Sequence, residues 1–115
     1  MIIVYGIKNC DSVKRALQWL KSQNINAKLH DYRENGITET FIHAAIAQFG
    51  WENVINKRSA TWRNLDEATQ KTLGKTAAPE ILLSHPTLLK RPIILQGEIA
   101  LIGFNEAQYR AVFNH

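Results

Sequence analysis

A chain of 115 residues, 45% apolar and 21% charged, has the size and composition of one globular domain spanning 1–115, and excludes disordered, collagen-like and linker-rich readings. The 14 Lys and Arg exceed the 10 Asp and Glu by the net +4, but they stand singly or in pairs (Lys14-Arg15, Lys57-Arg58, Lys90-Arg91), which reads as a solvated basic surface rather than a nucleic-acid face. The apolar runs Met1–Tyr5 and Ile93–Leu95 fall far short of the ~20 residues that span a bilayer, and Gly6, Lys8 and Asn9 interrupt any secretory signal, so the expected compartment is the cytoplasm, with no membrane partner.

In chain order, Ile2-Ile3-Val4-Tyr5 is a β-branched run closed by Gly6, predicting a strand followed by a loop through Lys8-Asn9-Cys10. Val13, Ala16, Leu17 and Leu20 share one face of a helix that starts at Asp11-Ser12 and runs to about Gln23. Residues 24–26 link it to a second strand, Ala27–Tyr32. Thr38 or Thr40 can cap a helix carrying Phe41, Ile42, Ala45, Ile46 and Phe49, with Gly50 as its stop and a further turn at Trp51–Ile55. Asn56–Arg63 reads as a loop, Leu65–Leu73 as a helix ended by Gly74, and Pro79–Ser84 as another helix limited by Pro86. Pro92–Leu95, the turn Gln96-Gly97-Glu98 and Ile99–Ile102 form a hairpin that Gly103 ends, and Asn105 can cap a last helix. The order β-α-β, helices, β-β-α predicts an α/β fold with a four-stranded mixed sheet.

The only cysteine is Cys10, which rules out an intrachain disulfide or a CxxC pair. The four histidines, His30, His43, His85 and His115, lack the spacing that places two ligands on one helix face, so no metal site is expected. Phosphate-cradling glycine motifs and the GxSxG elbow are absent. The position of Cys10 between strand and helix favours thiolate, with Lys8 before it and the Ser12 hydroxyl able to donate to the sulfur. The alternative is a small buried hydrophobe. Arg91 precedes Pro92, and a cis X-Pro bond there can bring the guanidinium beside the thiol; otherwise it is a plain arginine ahead of an edge strand. Arg58 and Arg63 flank Trp62, where they can bind an anion, stack on the indole or simply be solvated, and spacing alone favours solvation.

Three segments carry a resemblance: Tyr5-Gly6-Ile7-Lys8-Asn9-Cys10-Asp11-Ser12, Asn56-Lys57-Arg58-Ser59-Ala60-Thr61-Trp62-Arg63-Asn64-Leu65, and His85-Pro86-Thr87-Leu88-Leu89-Lys90-Arg91-Pro92-Ile93. Together they resemble the ArsC/Spx family, most of all its YffB-like branch, over essentially the whole chain. The resemblance implies a thioredoxin-like fold with an inserted helical segment at about 36–90. It places the family's nucleophilic cysteine on Cys10, the arginine before its cis-proline on Arg91, and the central Arg-Ser pair on Arg58-Ser59. Glutathione-coupled arsenate reductases of the family have a histidine where this chain has Gly6, and two further arginines that fall on Asn56 and on or near Gly103. Regulators of the Spx type have a second cysteine where Val13 stands.

These readings converge on a glutathione-dependent monothiol reductase acting on mixed disulfides or related oxidised substrates. Cys10, Arg91 and Arg58 are the expected catalytic residues. Lys8, Asn9, Ser12, Arg58, Arg63 and Pro92 are the expected substrate-binding ones. No bound cofactor is expected; glutathione is the implied co-substrate, glutaredoxin a further candidate partner, and a monomer the expected state. The alternatives are an arsenate reductase coupled to glutathione or glutaredoxin and, in another class, an Spx-like regulator that binds RNA polymerase.

Overall fold

The computed structural model describes residues 1–75 and 79–113, and the chain forms two compact units, one made of Met1–Asn35 with the chain from Arg91 onward, the other of Gly36–Lys90. In the first, the short β-branched strand β1 (Ile2–Gly6) leads through a loop into helix α1 (Asp11–Ser22), followed by strand β2 (Ala27–Asp31). The hairpin β3 (Ile93–Gln96) and β4 (Ile99–Ile102) and a final helix over Glu106–Phe113 complete it. Gly97 sits at φ +60° between the hairpin strands, a conformation that a residue with a Cβ adopts only under strain.

The sheet order is β2-β1-β3-β4. β1 pairs in parallel with β2 from Ile2↔Ala27 to Gly6↔Asp31, while β3 runs antiparallel both to β1, at Tyr5↔Ile93, and to β4. It is the mixed, thioredoxin-like sheet that the resemblance implies. Towards the start of β1 a side chain takes the place of backbone pairing: Gln96 Oε1 accepts the Ile3 N–H at 3.0 Å and its Nε2 donates to the Met1 carbonyl at 2.7 Å. Val4, Ile94 and Leu101 from the sheet meet Ala16, Trp19 and Leu20 of α1 and Tyr109 of the last helix in one buried cluster. Burying aliphatic side chains of this size stabilises by about 1.5–3 kcal/mol each. Tyr109 stands edge-on to Trp19 and to Phe104, with centroids 5.7 and 4.8 Å away.

The second unit opens with α2 (Glu39–Phe49), capped by Thr38 Oγ1, which accepts the Phe41 N–H at 3.1 Å. Gly50, at φ +83°, turns the chain at once into the short helix α3 (Trp51–Val54). Then come α4 (Ala60–Arg63), α5 (Glu67–Lys75), α6 (Pro79–Ser84) and a 3-10 turn at Pro86–Leu88. An isolated Ile55↔Leu89 bridge, with Asn56 N–H donating to the Leu88 carbonyl and Lys90 N–H to that of Val54, ties the end of this unit to its middle. Two expectations change here. The stretch expected to be a loop, Asn56–Arg63, ends in a helical turn because the Ser59 hydroxyl accepts the Trp62 N–H at 3.1 Å and caps it. The next helix starts at Glu67 rather than Leu65, since the Leu65 N–H is taken by the Trp62 carbonyl and Asp66 Oδ1 accepts from Thr69 as a cap; it also runs through Gly74 to Lys75. A glycine costs a helix only about 1 kcal/mol and does not by itself stop one. We name the last helix, Glu106–Phe113, α7; Asn105 Oδ1 accepts the Gln108 N–H at its start, as expected.

Candidate functional site around Cys10

The loop between β1 and α1 is short, and β2 holds it from the side. The Tyr32 N–H donates to the Gly6 carbonyl at 2.7 Å, extending the parallel pairing past the strand end, and the Lys8 N–H donates to Asp31 Oδ2 at 3.0 Å. Asp31 is 4% exposed and its other oxygen accepts from the Arg33 and Glu34 N–H groups at 2.7 and 3.2 Å. Burial opposes its charge, but the N–H groups of Arg33, Lys8 and Glu34, helped by the Lys8 ammonium, outweigh that and hold the carboxyl below its ordinary value. Above the loop the Lys8 ammonium is bonded to Glu34, whose hydrogen bond and charge raise it above its ordinary value. Ile7, 5% exposed, anchors the loop from inside.

Cys10 follows in the N-cap position of α1, extended at φ −135° and ψ 122°, half-buried, with its carbonyl accepting the Lys14 N–H at 3.0 Å. Its side chain makes no capping bond, so no side chain at the cap satisfies the amide N–H groups of the first turn. Such a helix end attracts anions, a thiolate or a substrate oxyanion alike. Ser12 lies half-buried in this turn, but no hydrogen bond joins it to the sulfur among the described residues. Asn9 is exposed.

Gly6 is where the strand, the helix and the second arm of the site meet. A Cβ placed there would lie 2.6 Å from Val13 Cγ2, and 3.6 Å from the Cβ of Arg91. Val13 is 1% exposed and its branched side chain has little freedom to turn away, so the contact admits no side chain at position 6 without movement. The Arg91–Pro92 peptide is cis, Pro92 is buried, and its carbonyl accepts the Gly103 N–H at 2.8 Å. Arg91 is half-buried, with its Nε shut away from solvent. Its charge also reaches Tyr32, whose phenol burial raises well above the ordinary range while the guanidinium pulls the other way. The backbone therefore brings Lys8, Asn9, Cys10, Ser12, Arg91 and Pro92 into the same unit, with Arg91 packed on the strand end from which the thiol loop departs.

Arg58 and Arg63 belong to the other unit, where both are exposed. Asn56 Oδ1 accepts the Arg58 N–H at 3.1 Å, and Ser59 donates its hydroxyl to the Asn56 carbonyl at 2.9 Å. The cation that faces Trp62 is Lys57, with Nζ 5.7 Å from the ring centre and equally 5.7 Å from that of Trp51. Among the described residues no helix is long and apolar enough to cross a membrane, and no three metal-ligating side chains converge. Sequence reasoning overlooked Asp31. An Asp two residues ahead of Arg33 signals an Asx turn, but its bond to Lys8, across 23 positions, leaves no local mark.

Residues 5–112, which contain the thiol loop and the cis-proline, match the ArsC family. The chain belongs to the ArsC family. It is 59% identical over 113 residues to an uncharacterised protein of Haemophilus influenzae, covering 98% of this chain and 99% of that one. It is 26% identical to global transcriptional regulator Spx 2 of Bacillus anthracis, over 96% of this chain and 85% of that one. Of solved structures, a YFFB (PA3664) protein superposes with a TM-score of 0.89 at 36% identity, covering 96% of this chain and 97% of that one. An arsenate reductase (ArsC) related protein from Brucella melitensis superposes at 0.74 with 32% identity, over 99% and 95% of the two chains. Gly6 and Val13, where the resemblance puts the arsenate reductase histidine and the second Spx cysteine, are neighbours in space: a Cβ added at Gly6 would meet Val13 Cγ2 at 2.6 Å.

Proposed function

We propose that this ArsC-family protein is a glutathione-dependent monothiol reductase. The observation that carries the reading is the sole cysteine of the chain, half-buried in the N-cap position of α1, where no side chain at the cap satisfies the first-turn amide N–H groups. The Cys10 thiolate attacks the glutathione sulfur of a mixed disulfide, forming a Cys10–glutathione disulfide and releasing the substrate as its thiolate. A second glutathione thiolate then attacks the glutathione sulfur of that adduct, returning the Cys10 thiolate and leaving oxidised glutathione. Each cycle thus consumes the mixed disulfide and one reduced glutathione and yields the substrate thiol and oxidised glutathione, one half of which came from the mixed disulfide, and no intramolecular resolving cysteine is needed.

Arg91, from the cis-proline turn against Gly6, supplies positive charge for the thiolate and for carboxylates or oxyanions that bind. For Arg58 and Arg63 the proposal rests on the family resemblance, and single alanine variants test each. Against arsenate as the preferred substrate stand Gly6, Asn56 and Gly103 in place of the histidine and arginines that the resemblance gives to arsenate reductases. Intact mass spectrometry decides between the two: incubation with oxidised glutathione should load one glutathione on Cys10, whereas arsenate with reduced glutathione should be turned over poorly. Efficient arsenate reduction with no glutathione adduct would reverse the order.

A further inference from the structure

Beside the thiol loop lies a cavity of about 130 Å³ lined by Ile7, Lys8, Asn9, Asp31, Arg33 and Glu34. Four of its six lining side chains carry charge, but three are already engaged. Asp31 gives both oxygens to backbone N–H groups, and Lys8 and Glu34 neutralise each other. The charge left over is that of Arg33, whose guanidinium has no hydrogen bond or ion pair among the described residues and whose own N–H is fixed by Asp31. Asn9, the chain neighbour of Cys10, adds an exposed amide that is likewise uncommitted among the described residues.

Resting on the thiol-exchange reading above, we infer that this cavity is the carboxylate subsite for the thiol co-substrate, with Arg33 as its anion-binding residue and the Asn9 amide as a second donor. The guanidinium fork matches a carboxylate in two parallel hydrogen bonds, which an ammonium does not. Asp31 fixes the backbone at both Lys8 and Arg33, so one buried side chain sets the spacing between the thiol loop and the anion-binding residue. Asn9 lines the cavity and is the chain neighbour of Cys10, so the subsite adjoins the loop that carries the sulfur. The ligand class is a small peptide thiol or disulfide bearing a free carboxylate.

The probe is S-methylglutathione, which keeps both carboxylates and cannot exchange, titrated by amide NMR shifts and compared with its diethyl ester. The free acid should move the Lys8, Asn9 and Arg33 resonances in the native protein, and the ester should not. Arg33→Ala should weaken the acid about five- to tenfold and Arg33→Lys by less, with unchanged circular dichroism. Equal binding of acid and ester, or an unaltered Kd in folded Arg33→Ala, overturns the subsite whether or not Cys10 exchanges. Failure of the thiol-exchange reading would show separately, as no adduct on Cys10 from oxidised glutathione. Adduct formation from 2-hydroxyethyl disulfide, which has no carboxylate, should be the same in Arg33→Ala as in the native protein; an equal slowing with both disulfides would mean that Arg33 acts on the thiol and not on the carboxylate.

Discussion

Removing the Asp31 carboxylate measures how much of the thiol loop's shape depends on it. Oδ2 takes the Lys8 N–H at 3.0 Å, and Oδ1 takes those of Arg33 and Glu34 at 2.7 and 3.2 Å. Hydrogen bonds to a charged acceptor contribute about 1.5–3 kcal/mol each. The Arg33 and Glu34 bonds share one oxygen and the Glu34 one is long, so together they count as about one. With the Lys8 bond counted in full, Asp31→Ala should cost roughly 3–6 kcal/mol. For a chain of this size that is a fall in Tm of at least about 10 °C. Asp31→Asn retains an oxygen for the turn but presents its amide nitrogen to the Lys8 N–H, donor against donor, and should fall about half as far. The folded carboxyl titrates below the ordinary 3.8, so its contribution is complete above that value and disappears as pH falls through the lower, folded-state value. The gap between native and Asp31→Asn proteins should hold steady at about pH 5–7 and close below about pH 4. Thermal melts followed by circular dichroism across that range would show it. A Tm for Asp31→Ala within about 2 °C of native, or a gap that widens on acidification, would refute the assignment.

Cys10→Ser should fold with a Tm within about 2 °C of native and form no adduct with oxidised glutathione by mass spectrometry. Gly6→Ala should destabilise by about 1–3 kcal/mol in urea, from the 2.6 Å approach to Val13, and by clearly less when introduced into Val13→Ala protein. Thr38→Ala, which removes the cap of α2, should cost about 1 kcal/mol in the same assay.

The features legible in the sequence are those whose cause lies within a few residues. Helix α1 follows from the period of Val13, Ala16 and Leu20, α2 from Thr38 and Gly50, the hairpin from Gly97, and α7 from Asn105. Residues 60–63 escaped because a single turn offers no period, and what creates it is one serine hydroxyl. Periodicity also says nothing of strand order. That β1 lies between β2 and β3 is set by pairings 25 and 88 positions apart, Ile2 with Ala27 and Tyr5 with Ile93, and is pinned by Gln96 reaching back to Met1 and Ile3. At the site, Cys10 and the cis bond at Pro92 were legible from their neighbours, whereas Asp31 and Arg33 act through a turn whose partner is a distant loop. Arg58 and Arg63 are exposed, as spacing alone favours, while the cation that faces Trp62 is Lys57, which sequence spacing does not single out.

The glycine at position 6 and the valine at position 13 are better understood as one feature than as two separate departures from the arsenate reductase and Spx patterns. They bracket Cys10 in the chain, and a Cβ at position 6 would lie 2.6 Å from Val13 Cγ2, so a side chain at one requires a smaller or displaced residue at the other. With a buried valine on the helix side, β1 closes onto α1 through bare backbone, and neither position contributes a side chain able to accept a proton or form a disulfide. Beside Cys10 the chain then offers donor groups: the amide N–H groups of the first turn of α1 and the exposed amide of Asn9. With Cys10 as its one cysteine, the chain provides no second thiol to release a disulfide formed there. On the proposed thiol exchange, the resolving thiol arrives with the co-substrate, and selectivity then rests on how that co-substrate is held rather than on a second cysteine of the chain.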